Sequence, residues 1–314
     1  MNADTILALV GATATGKTEV GELLAEALGA EIVCADSRQM FRELDVGTGK
    51  PSKTERAARP HHLFDAWSIG DSVSAGEYAR RAAAVIRQIR SRSRPPLLVG
   101  GAGLYLRALR HGLSQEPALD PEERARLRAD LAAQPVEALH ARLASQDPER
   151  AGRLRRRDRQ RITRALEVVE LSGRPLGWWH ARPPQPPLVG EWRVVELCTP
   201  PAELARRIER RTSWMFANGL LDEARAVREA GLESELRRLR AVGYDEALEL
   251  LEGRLSREQA EALTALRTRQ LAKRQRTWFR HQFASERLET EGKNPDSLAR
   301  DALARYEGGG PRSG

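Results

Sequence analysis

The sequence is poor in cysteine and contains no long hydrophobic run. Its two cysteines, Cys34 and Cys198, each lie in an apolar stretch, so we expect buried, reduced thiols rather than a disulfide or a zinc site. No apolar run approaches the roughly 18 residues that a membrane span requires. The first residues, Met1 to Asp4, lack the basic region that opens a secretory signal. We therefore expect a cytoplasmic protein without a membrane segment.

Lysine is also rare, since only five of the 52 basic residues are lysines. A GC-rich coding bias can explain this preference for arginine, but it does not explain the net charge of +8 or the pI of about 10.0. A basic chain favours polyanionic partners. The sequence has no internal repeat at a solenoid period, which argues against a repeat array.

The N-terminal segment contains the full pattern of a phosphate-binding P-loop. An apolar run ending at Val10 leads into Gly11-x4-Gly16-Lys17-Thr18. Glycines let successive backbone amides converge on an anion at a helix N-terminus, Lys17 adds a point charge, and the Thr18 hydroxyl can bind Mg²⁺. The pattern predicts a site for a phosphate ester or diphosphate, without saying whether a nucleotide carries it. The loop comprises Gly11, Ala12, Thr13, Ala14, Thr15, Gly16, Lys17 and Thr18.

Short apolar strands alternate with helical stretches in the first hundred residues, which predicts a parallel α/β sheet. After the strand before the P-loop come a second at Glu31 to Ala35 and a third at Leu97 to Val99, which ends at Gly100-Gly101. A further strand at Arg193 to Cys198 is followed by long helices to about Glu286. Ligands are expected at the carboxyl ends of these strands.

Between these two parts the strand signal disappears, and the sequence becomes rich in Arg, Ala and Leu with helical spacing. We therefore predict an α/β fold, with a P-loop core at residues 1–118 and 191–290 and an inserted all-helical domain at 119–190. The Gly-rich end makes residues 291–314 a tail that we expect to be partly disordered.

Asp36-Ser37-Arg38-Gln39 follows the second strand directly. We expect that strand to lie beside the P-loop strand, which would place the Asp36 carboxylate near the bound phosphate, available as a base or metal-linked acceptor. An aspartate that follows a strand also commonly caps a loop. Both interpretations stay open at this point.

Two basic stretches complete the list of candidate sites. In residues 155–164, helical spacing would bury Ile162, while Arg157, Arg161 and Arg164 share another face. Residues 267–280 contain six basic residues and no acid. Charge runs are often solvated helix faces, but two of them beside a phosphate loop favour binding of a phosphate backbone. The second stretch predicts one stripe, formed by Arg269, Lys273, Arg276 and Arg280.

Taken in order, these residues resemble the tRNA dimethylallyltransferases, also called tRNA isopentenyltransferases. The matching segments span nearly the whole chain, at residues 11–18, 36–39, 45–51, 60–63, 97–106, 160–173, 242–244 and 268–280. The resemblance implies transfer of a dimethylallyl group from dimethylallyl diphosphate to N6 of adenosine-37, 3′ of the anticodon, in tRNAs that read codons beginning with U. It implies Mg²⁺ as cofactor and the tRNA anticodon stem-loop as partner, and we expect the enzyme to be a monomer.

The resemblance also implies roles for individual residues. The P-loop would hold the prenyl diphosphate rather than ATP, with Lys17, Thr18-bound Mg²⁺ and Arg207 stabilising the diphosphate. Asp36 would accept the proton of the adenine amine. The residues implied to bind tRNA are Asp36, Ser37, Arg38, Gln39, Ala102, Arg124, Gln160, Arg161, Ile162, Thr163 and Arg164.

Several positions depart from the family pattern. Ala12 stands where Pro is usual, Phe41 where Tyr is common, and Arg157 and Arg159 where Asn and Pro flank Asp158; Ala102 replaces a Thr whose hydroxyl is therefore missing from the proposed tRNA contact. His61 and His62 lack further ligands at metal spacing, so we interpret them as structural.

Three alternatives are considered beside the resemblance. A P-loop kinase should have an acidic residue after the strand that instead ends at Gly100-Gly101. A non-catalytic RNA-binding module would not need Lys17-Thr18. A prenyltransferase acting on free adenine nucleotides would not need an inserted basic helical domain.

Overall fold

The computed structural model describes residues 5–114, 117, 119–181 and 183–308, which divide into two compact units. Unit 1 contains the residues up to Arg110 and those from Pro187 onward, whereas unit 2 is His111–Pro186. Unit 2 thus begins and ends a few residues earlier than the segment 119–190 marked out in the sequence.

Unit 1 is built on a six-stranded sheet in which every pair of neighbouring strands is parallel. The order across the sheet is β3-β2-β4-β1-β5-β6. All carboxyl ends therefore meet at one edge, where open α/β sheets bind ligands. The strands are β1 (Thr5–Gly11), β2 (Glu31–Cys34), β3 (His61–His62), β4 (Pro96–Gly100), β5 (Glu191–Cys198) and β6 (Glu286–Glu289).

The sheet order corrects one expectation. Strand β4 lies between β1 and β2, because Val99 is opposite both Leu9 and Cys34. The prediction that the second strand neighbours the P-loop strand is therefore wrong, since a parallel crossover can skip a position without leaving a signal in the sequence. Strands β3 and β6 were not predicted, and both are too short for a clear pattern of alternation.

None of the helices in the described ranges is long and apolar enough to cross a membrane. A short 3-10 helix occupies Val46–Thr48. The helices are α1 (Lys17–Leu28), α2 (Lys53–Ala58), α3 (Ala75–Ser91), α4 (Gly103–His111), α5 (Pro121–Ala133), α6 (Val136–Gln146), α7 (Pro148–Arg153), α8 (Arg159–Ser172), α9 (Leu176–His180), α10 (Pro201–Ala217), α11 (Leu220–Glu229), α12 (Glu233–Leu239), α13 (Tyr244–Leu251), α14 (Arg257–Gln282) and α15 (Pro295–Glu307).

The central strand β1 is buried on both faces, which explains its uninterrupted apolar sequence. Ile6 and Val10 belong to a core that includes α3 and helices of the C-terminal part, whereas Leu7 and Leu9 pack in the core that contains α1 and α15. Full burial of such side chains contributes about 1.5–3 kcal/mol each. This packing fixes the end of β1, and with it the loop that follows.

Helix α15 shows that residues 295–307 are an ordered part of the tail 291–314, in which the sequence predicted no helix. The Asn294 side chain caps the helix by accepting a hydrogen bond from Ser297 N at 2.8 Å. Leu298 and Tyr306 are buried in the same core as α1, and the Tyr306 hydroxyl donates to the Ala8 carbonyl at 2.9 Å. Residues 309–314 of the expected tail lie outside the described residues.

Unit 2 is helical from α5 to α9, as predicted, and has its own small core. The core is formed by Leu131, Leu139, Leu143, Ala151, Ile162, Ala165 and Leu166. Helix α8 begins at Arg159 after the cap residue Asp158. The prediction that Arg157 shares a helix face with Arg161 and Arg164 is therefore wrong, because Arg157 precedes the helix.

Glu167 organises the charged side of unit 2. It is 1% exposed, and its carboxylate accepts hydrogen bonds from Arg124 at 2.9 Å, Arg128 at 2.6 Å and Arg164 at 3.1 Å. Burial alone would raise the pKa of Glu167, but the hydrogen bonds from Arg128 and Arg124 outweigh it and lower that pKa. These arginines therefore join α5 to α8 within the unit.

Candidate anion-binding cleft

Residues 11–18, here called the glycine-rich loop, connect β1 to α1. Gly11 has φ of 146°, and a Cβ at that position would lie 2.7 Å from the Leu197 carbonyl oxygen. Gly16 is the N-cap of α1, with φ of 90°. Both positions require glycine. The loop turns so that the first amides of α1, which have no partner within the helix, are available to an anion.

An open cleft of about 660 Å³ lies over this loop in unit 1. It brings together Lys17, Thr18, Asp36 and Gln39 with Arg207 of α10, all of which the sequence placed in the site. The wall also contains Arg210, Arg211, Trp214 and Lys293, which the sequence analysis did not assign. The cleft is therefore strongly cationic.

Lys17 lies half-buried at the bottom of the cleft, where its ammonium donates to the Ala12 carbonyl at 2.5 Å. Burial lowers the pKa of Lys17 to about 8; nearby Asp36 acts in the opposite direction, and Arg211 lowers the pKa further. In the described part of the chain no carboxylate lies within ion-pair distance of Lys17. An anionic ligand would supply the missing counter-charge.

Arg207 and Arg211 lie one turn apart on α10. Arg207 pairs with Glu203 at 2.5 Å and approaches the Thr15 carbonyl at 3.5 Å. Among the described residues, Arg211 donates to neutral acceptors only, at 3.3 Å to the Thr13 hydroxyl and 2.9 Å to the Thr48 carbonyl. Burial lowers its pKa. Sequence reasoning missed Arg211, although its i+4 spacing from Arg207 was a usable signal.

Asp36 caps a loop and also lines the cleft, so both interpretations that the sequence left open are compatible with the structure. Its Oδ1 accepts from the amides of Arg38 at 2.9 Å and Gln39 at 3.4 Å, so the residue caps the loop after β2. The same side chain lines the anion cleft and a second cavity of about 220 Å³. A cap does not exclude a role as a base, because a carboxylate has two oxygens.

Two glycines explain how Asp36 reaches the cleft across the intervening strand β4. A Cβ on Gly100 would lie 2.1 Å from the Ala35 carbonyl oxygen, and a Cβ on Gly101 would lie 2.9 Å from the Gly11 carbonyl oxygen. Missing side chains thus let the ends of β1, β2 and β4 converge. The strand that would carry the acidic residue of a kinase ends in these glycines instead, which disfavours the kinase alternative.

The second cavity adjoins the cleft and shares Thr13, Asp36, Thr48 and Arg211 with it. Gln275 of α14 closes one wall, accepting from Thr13 N at 2.9 Å and donating to the Gly101 carbonyl at 3.0 Å. The predicted residues Ser37, Arg38 and Ala102 also line this cavity, together with Arg240, Tyr244, Thr264, Thr268 and Arg274.

Gln39 and Arg38 have structural contacts that the sequence did not reveal. The Gln39 amide donates to the Thr48 carbonyl at 3.2 Å and to the Gly49 carbonyl at 3.0 Å. The Arg38 guanidinium donates to the Leu239 carbonyl at 2.6 Å. Both side chains therefore hold loops at the rim in addition to lining the site.

The histidines and cysteines have other partners. His61 contacts Glu22 at 2.6 Å and His62 contacts Glu31 at 2.7 Å, so the two rings use different carboxylates. Within the described ranges no three metal-binding side chains come together. Both cysteines are free thiols; Cys34 is buried, but Cys198 is only half-buried at the end of β5, which corrects the expectation for that residue.

The tRNA-binding candidates of unit 2 differ in accessibility. Gln160 and Arg161 are exposed, and Arg161 makes a peripheral ion pair with Asp158 at 3.1 Å. Thr163 and Arg164 are half-buried. The Ile162 side chain is buried in the core of unit 2, so its assignment as a tRNA contact is wrong for the side chain. Arg124 is occupied with Glu167, as described above.

The predicted basic stripe is confirmed as one surface in unit 1. Arg269, Lys273, Arg276 and Arg280 line a groove of about 430 Å³ between α10 and α14. Its floor contains apolar side chains such as Leu204 and Ile208. Arg269 pairs with Glu209 at 3.0 Å.

A parallel sheet with a glycine-rich loop and a cationic cleft at its carboxyl edge defines an α/β protein whose cleft has the charge and backbone geometry that suit a phosphate-like anion. A family model described as IPP transferase matches residues 39–282. A tRNA dimethylallyltransferase of Halorhodospira halophila is 48% identical, covering 91% of this chain and 95% of that protein. One of Sorangium cellulosum is 43% identical, covering 88% of both. The chain belongs to the IPP transferase family.

The same relationship is visible in three dimensions. The crystal structure of a full-length tRNA isopentenylpyrophosphate transferase from Bacillus halodurans matches with a TM-score of 0.70 and 30% identity. The match covers 97% of each chain.

Proposed function

We propose that this chain transfers a dimethylallyl group from dimethylallyl diphosphate to N6 of adenosine-37, 3′ of the anticodon, in tRNAs that read codons beginning with U. The products are tRNA with N6-dimethylallyladenosine and diphosphate. The observation that carries the proposal is the position of Asp36, which lines both the anion cleft and the adjoining cavity. A base between the two can take a proton from an acceptor bound in the adjoining cavity, while the diphosphate leaving group stays in the anion cleft. The names of the relatives support the same reaction.

The cleft suits dimethylallyl diphosphate as the donor. In this proposal the glycine-rich loop acts as a P-loop that binds the diphosphate of the prenyl donor. When the allylic C1–O bond breaks, its electron pair goes to the diphosphate, where negative charge accumulates. The amides of the glycine-rich loop, Lys17, Arg207 and Arg211 are placed to stabilise that charge. The bond from N6 to C1 forms, and the N6 proton passes to Asp36.

We further propose that Mg²⁺ accompanies the diphosphate. The Thr18 hydroxyl is the proposed protein ligand, an oxygen donor in the cleft wall. Mg²⁺ commonly takes one or two protein ligands and completes its shell with phosphate oxygens and water, so this sparse donor set fits it. When bound, the ion would neutralise charge on the leaving group.

The acceptor base has to leave its stack to reach Asp36, which costs little in a single-stranded anticodon loop. Ser37, Arg38, Gln39 and Ala102 are the proposed tRNA contacts of unit 1, where Ala102 retains a backbone contact only. For unit 2 we propose Gln160, Arg161, Thr163, Arg164 and Arg124, of which Arg161 is the most exposed cation. The basic groove between α10 and α14 is a further candidate for the phosphate backbone.

Two further properties belong to the proposal. We expect the enzyme to act as a monomer in the cytoplasm. Two free thiols are compatible with a reducing compartment.

The decisive experiment combines the protein with Mg²⁺, labelled dimethylallyl diphosphate and either bulk tRNA or free AMP. We expect label in tRNA and none in AMP, and we expect Asp36→Asn protein to transfer almost none. Label in AMP alone would contradict the choice of acceptor. Transfer of the γ-phosphate of ATP to any acceptor would support a kinase instead.

A further inference from the structure

A single carboxylate, that of Glu223 on α11, binds one edge of the loop that follows β2. Its Oε1 accepts from the amides of Asp45 at 3.1 Å and Val46 at 2.6 Å. Its Oε2 accepts from the Gly47 amide at 3.2 Å and from the Tyr244 hydroxyl at 2.6 Å. Four donors satisfy the carboxylate, and hydrogen bonds to a charged acceptor are about twice as strong as neutral ones.

The opposite edge of the same loop faces the anion cleft. We call residues 45–49 the positioning loop. Its Thr48 carbonyl accepts from Arg211 at 2.9 Å and from Gln39 at 3.2 Å. Glu223 does not line the cleft, whereas Thr48 and Arg211 do. The loop thus connects a carboxylate outside the cleft wall to a cation within it.

The loop is also held too tightly to shift without cost. A Cβ on Gly47 would lie 2.5 Å from the ring of Tyr244. Lys50, buried just beyond the loop, forms ion pairs with Asp45 at 2.5 Å and Asp65 at 2.6 Å. Close packing on one side and ion pairs on the other restrict the position of the Thr48 carbonyl.

Arg211 gains from such a fixed acceptor. It is a half-buried cation that, in the described part of the chain, has no carboxylate within ion-pair distance, and only Thr48 and Thr13 accept its hydrogen bonds. A neutral carbonyl can orient a guanidinium without neutralising it. The charge therefore stays available for an anion in the cleft, already oriented before the anion arrives.

We infer that Glu223 is a positioning residue for the diphosphate: it fixes the positioning loop so that the Thr48 carbonyl aims Arg211 into the cleft. The inference rests on the proposed function for the identity of the anion. It assigns Glu223 no contact with substrate. Tyr244 contributes by donating to the same carboxylate.

The test measures magnesium pyrophosphate affinity by calorimetry, together with kcat and KM for the prenyl donor and for tRNA. We expect Glu223→Gln to weaken pyrophosphate binding and donor kcat/KM by about 10- to 50-fold, since it removes the charge that assists four hydrogen bonds and replaces one accepting oxygen by an amide nitrogen. Tyr244→Phe should have a smaller effect, about 3- to 5-fold. The tRNA KM should change less than about twofold. Glu249→Gln, which alters a surface ion pair of α13, is the matched control and should leave all values unchanged.

A double-mutant cycle separates positioning from general loss of structure. If Glu223 acts through Arg211, Glu223→Gln should have almost no further effect on pyrophosphate affinity in an Arg211→Ala background. Additive effects would overturn the inference, as would wild-type pyrophosphate binding by Glu223→Gln. Because pyrophosphate binding needs no acceptor, this result stands apart from the proposed function, which fails separately if no label reaches tRNA.

Discussion

The cations of the cleft and the cations around Glu167 show two opposite ways of holding positive charge in a protein. In unit 1, Lys17 and Arg211 are bonded to neutral oxygens, and the described residues offer them no carboxylate within ion-pair distance. In unit 2, one buried carboxylate gathers Arg124, Arg128 and Arg164. A cation withdrawn from water without a counter-charge costs stability, which is expected where an anionic ligand binds. A cation that is paired with a carboxylate instead supports the fold. The density of arginine in the sequence does not distinguish the two.

The largest expected effect is that of Lys17→Ala. Removing a buried donor from a transition-state anion site typically costs 100- to 1000-fold in rate, and we expect that loss in prenyl transfer. The free energy of unfolding should stay the same or rise, because a desolvated charge disappears. Steady-state assays and chemical denaturation measure the two quantities. If the Lys17→Ala variant keeps half of the wild-type activity, the cleft is not the site that binds the diphosphate.

Asp36→Asn tests the junction between cleft and cavity. The amide keeps the size and the cap to Arg38 N but cannot accept a proton, so kcat should fall about 100-fold with little change in tRNA affinity. Single-turnover rates with saturating substrates give the comparison. If only the tRNA KM rises, Asp36 binds the acceptor and is not the base.

Glu167→Gln tests the other half of the comparison. Three arginines would lose their shared counter-charge, so unit 2 should be destabilised by about 2 kcal/mol, a moderate value because the arginines are partly exposed. The low pKa of Glu167 also means that this stabilisation is present above its unfolded pKa and is lost as the pH falls through its folded pKa. Denaturation at neutral and acidic pH should show both effects, with the donor KM unchanged. An unaltered unfolding curve would show that the cluster does not stabilise the fold.

The pH dependence of pyrophosphate binding probes Lys17 directly. With a pKa of about 8, Lys17 in the free protein loses its proton as the pH rises through that value, and the affinity should fall about fivefold between pH 8 and pH 9. Lys17→Arg keeps its charge throughout this range, so its profile serves as the control for ionisation of pyrophosphate itself. Parallel profiles for the two proteins would contradict the assignment.

The smallest effect separates two arginines of α8. Arg161 is 70% exposed and Arg164 is 25% exposed beside Glu167. If unit 2 binds the anticodon arm, Arg161→Ala should reduce the slope of log affinity against log salt by about one unit. Arg164→Ala should reduce it less and destabilise the protein more. Equal slopes for wild type and Arg161→Ala would make this helix face an ordinary solvated surface.

Local patterns predicted much of the fold, but not the arrangement of its strands. The P-loop pattern, the strand at Arg193 to Cys198 and the helical insertion follow from apolar spacing and glycine positions. Strand β4 lies between β1 and β2 because the connection from β1 to β2 leaves one strand position empty, and no local pattern in the sequence indicates such a gap. Helix α15 was missed because the Gly-rich segment after it dominated the composition of the tail, whereas its burial depends on α1.

The candidate site shows a similar limit. Lys17 and Asp36 were assigned to the site from the sequence because each lies in a short motif, and the residues next to it indicate its role. Arg211, Gln275 and Glu223 were not assigned, because their roles arise from hydrogen bonds to backbone atoms far away along the chain. Ile162 was misassigned because membership of a matching segment says nothing about which way a side chain points.

The hydrogen bonds of Gln275 with the Thr13 amide and the Gly101 carbonyl indicate when, during synthesis and folding, the glycine-rich loop can reach its final structure. The partners of the first contact are separated by 262 residues. During synthesis at about 5–20 residues per second, the glycine-rich loop emerges long before α14 does, and all of unit 2 must be made in between. The glycine-rich loop therefore acquires its contacts with α14 late, and contacts between residues so far apart in sequence form slowly. Occupancy of the cleft by diphosphate would therefore report that the two distant halves of unit 1 have joined.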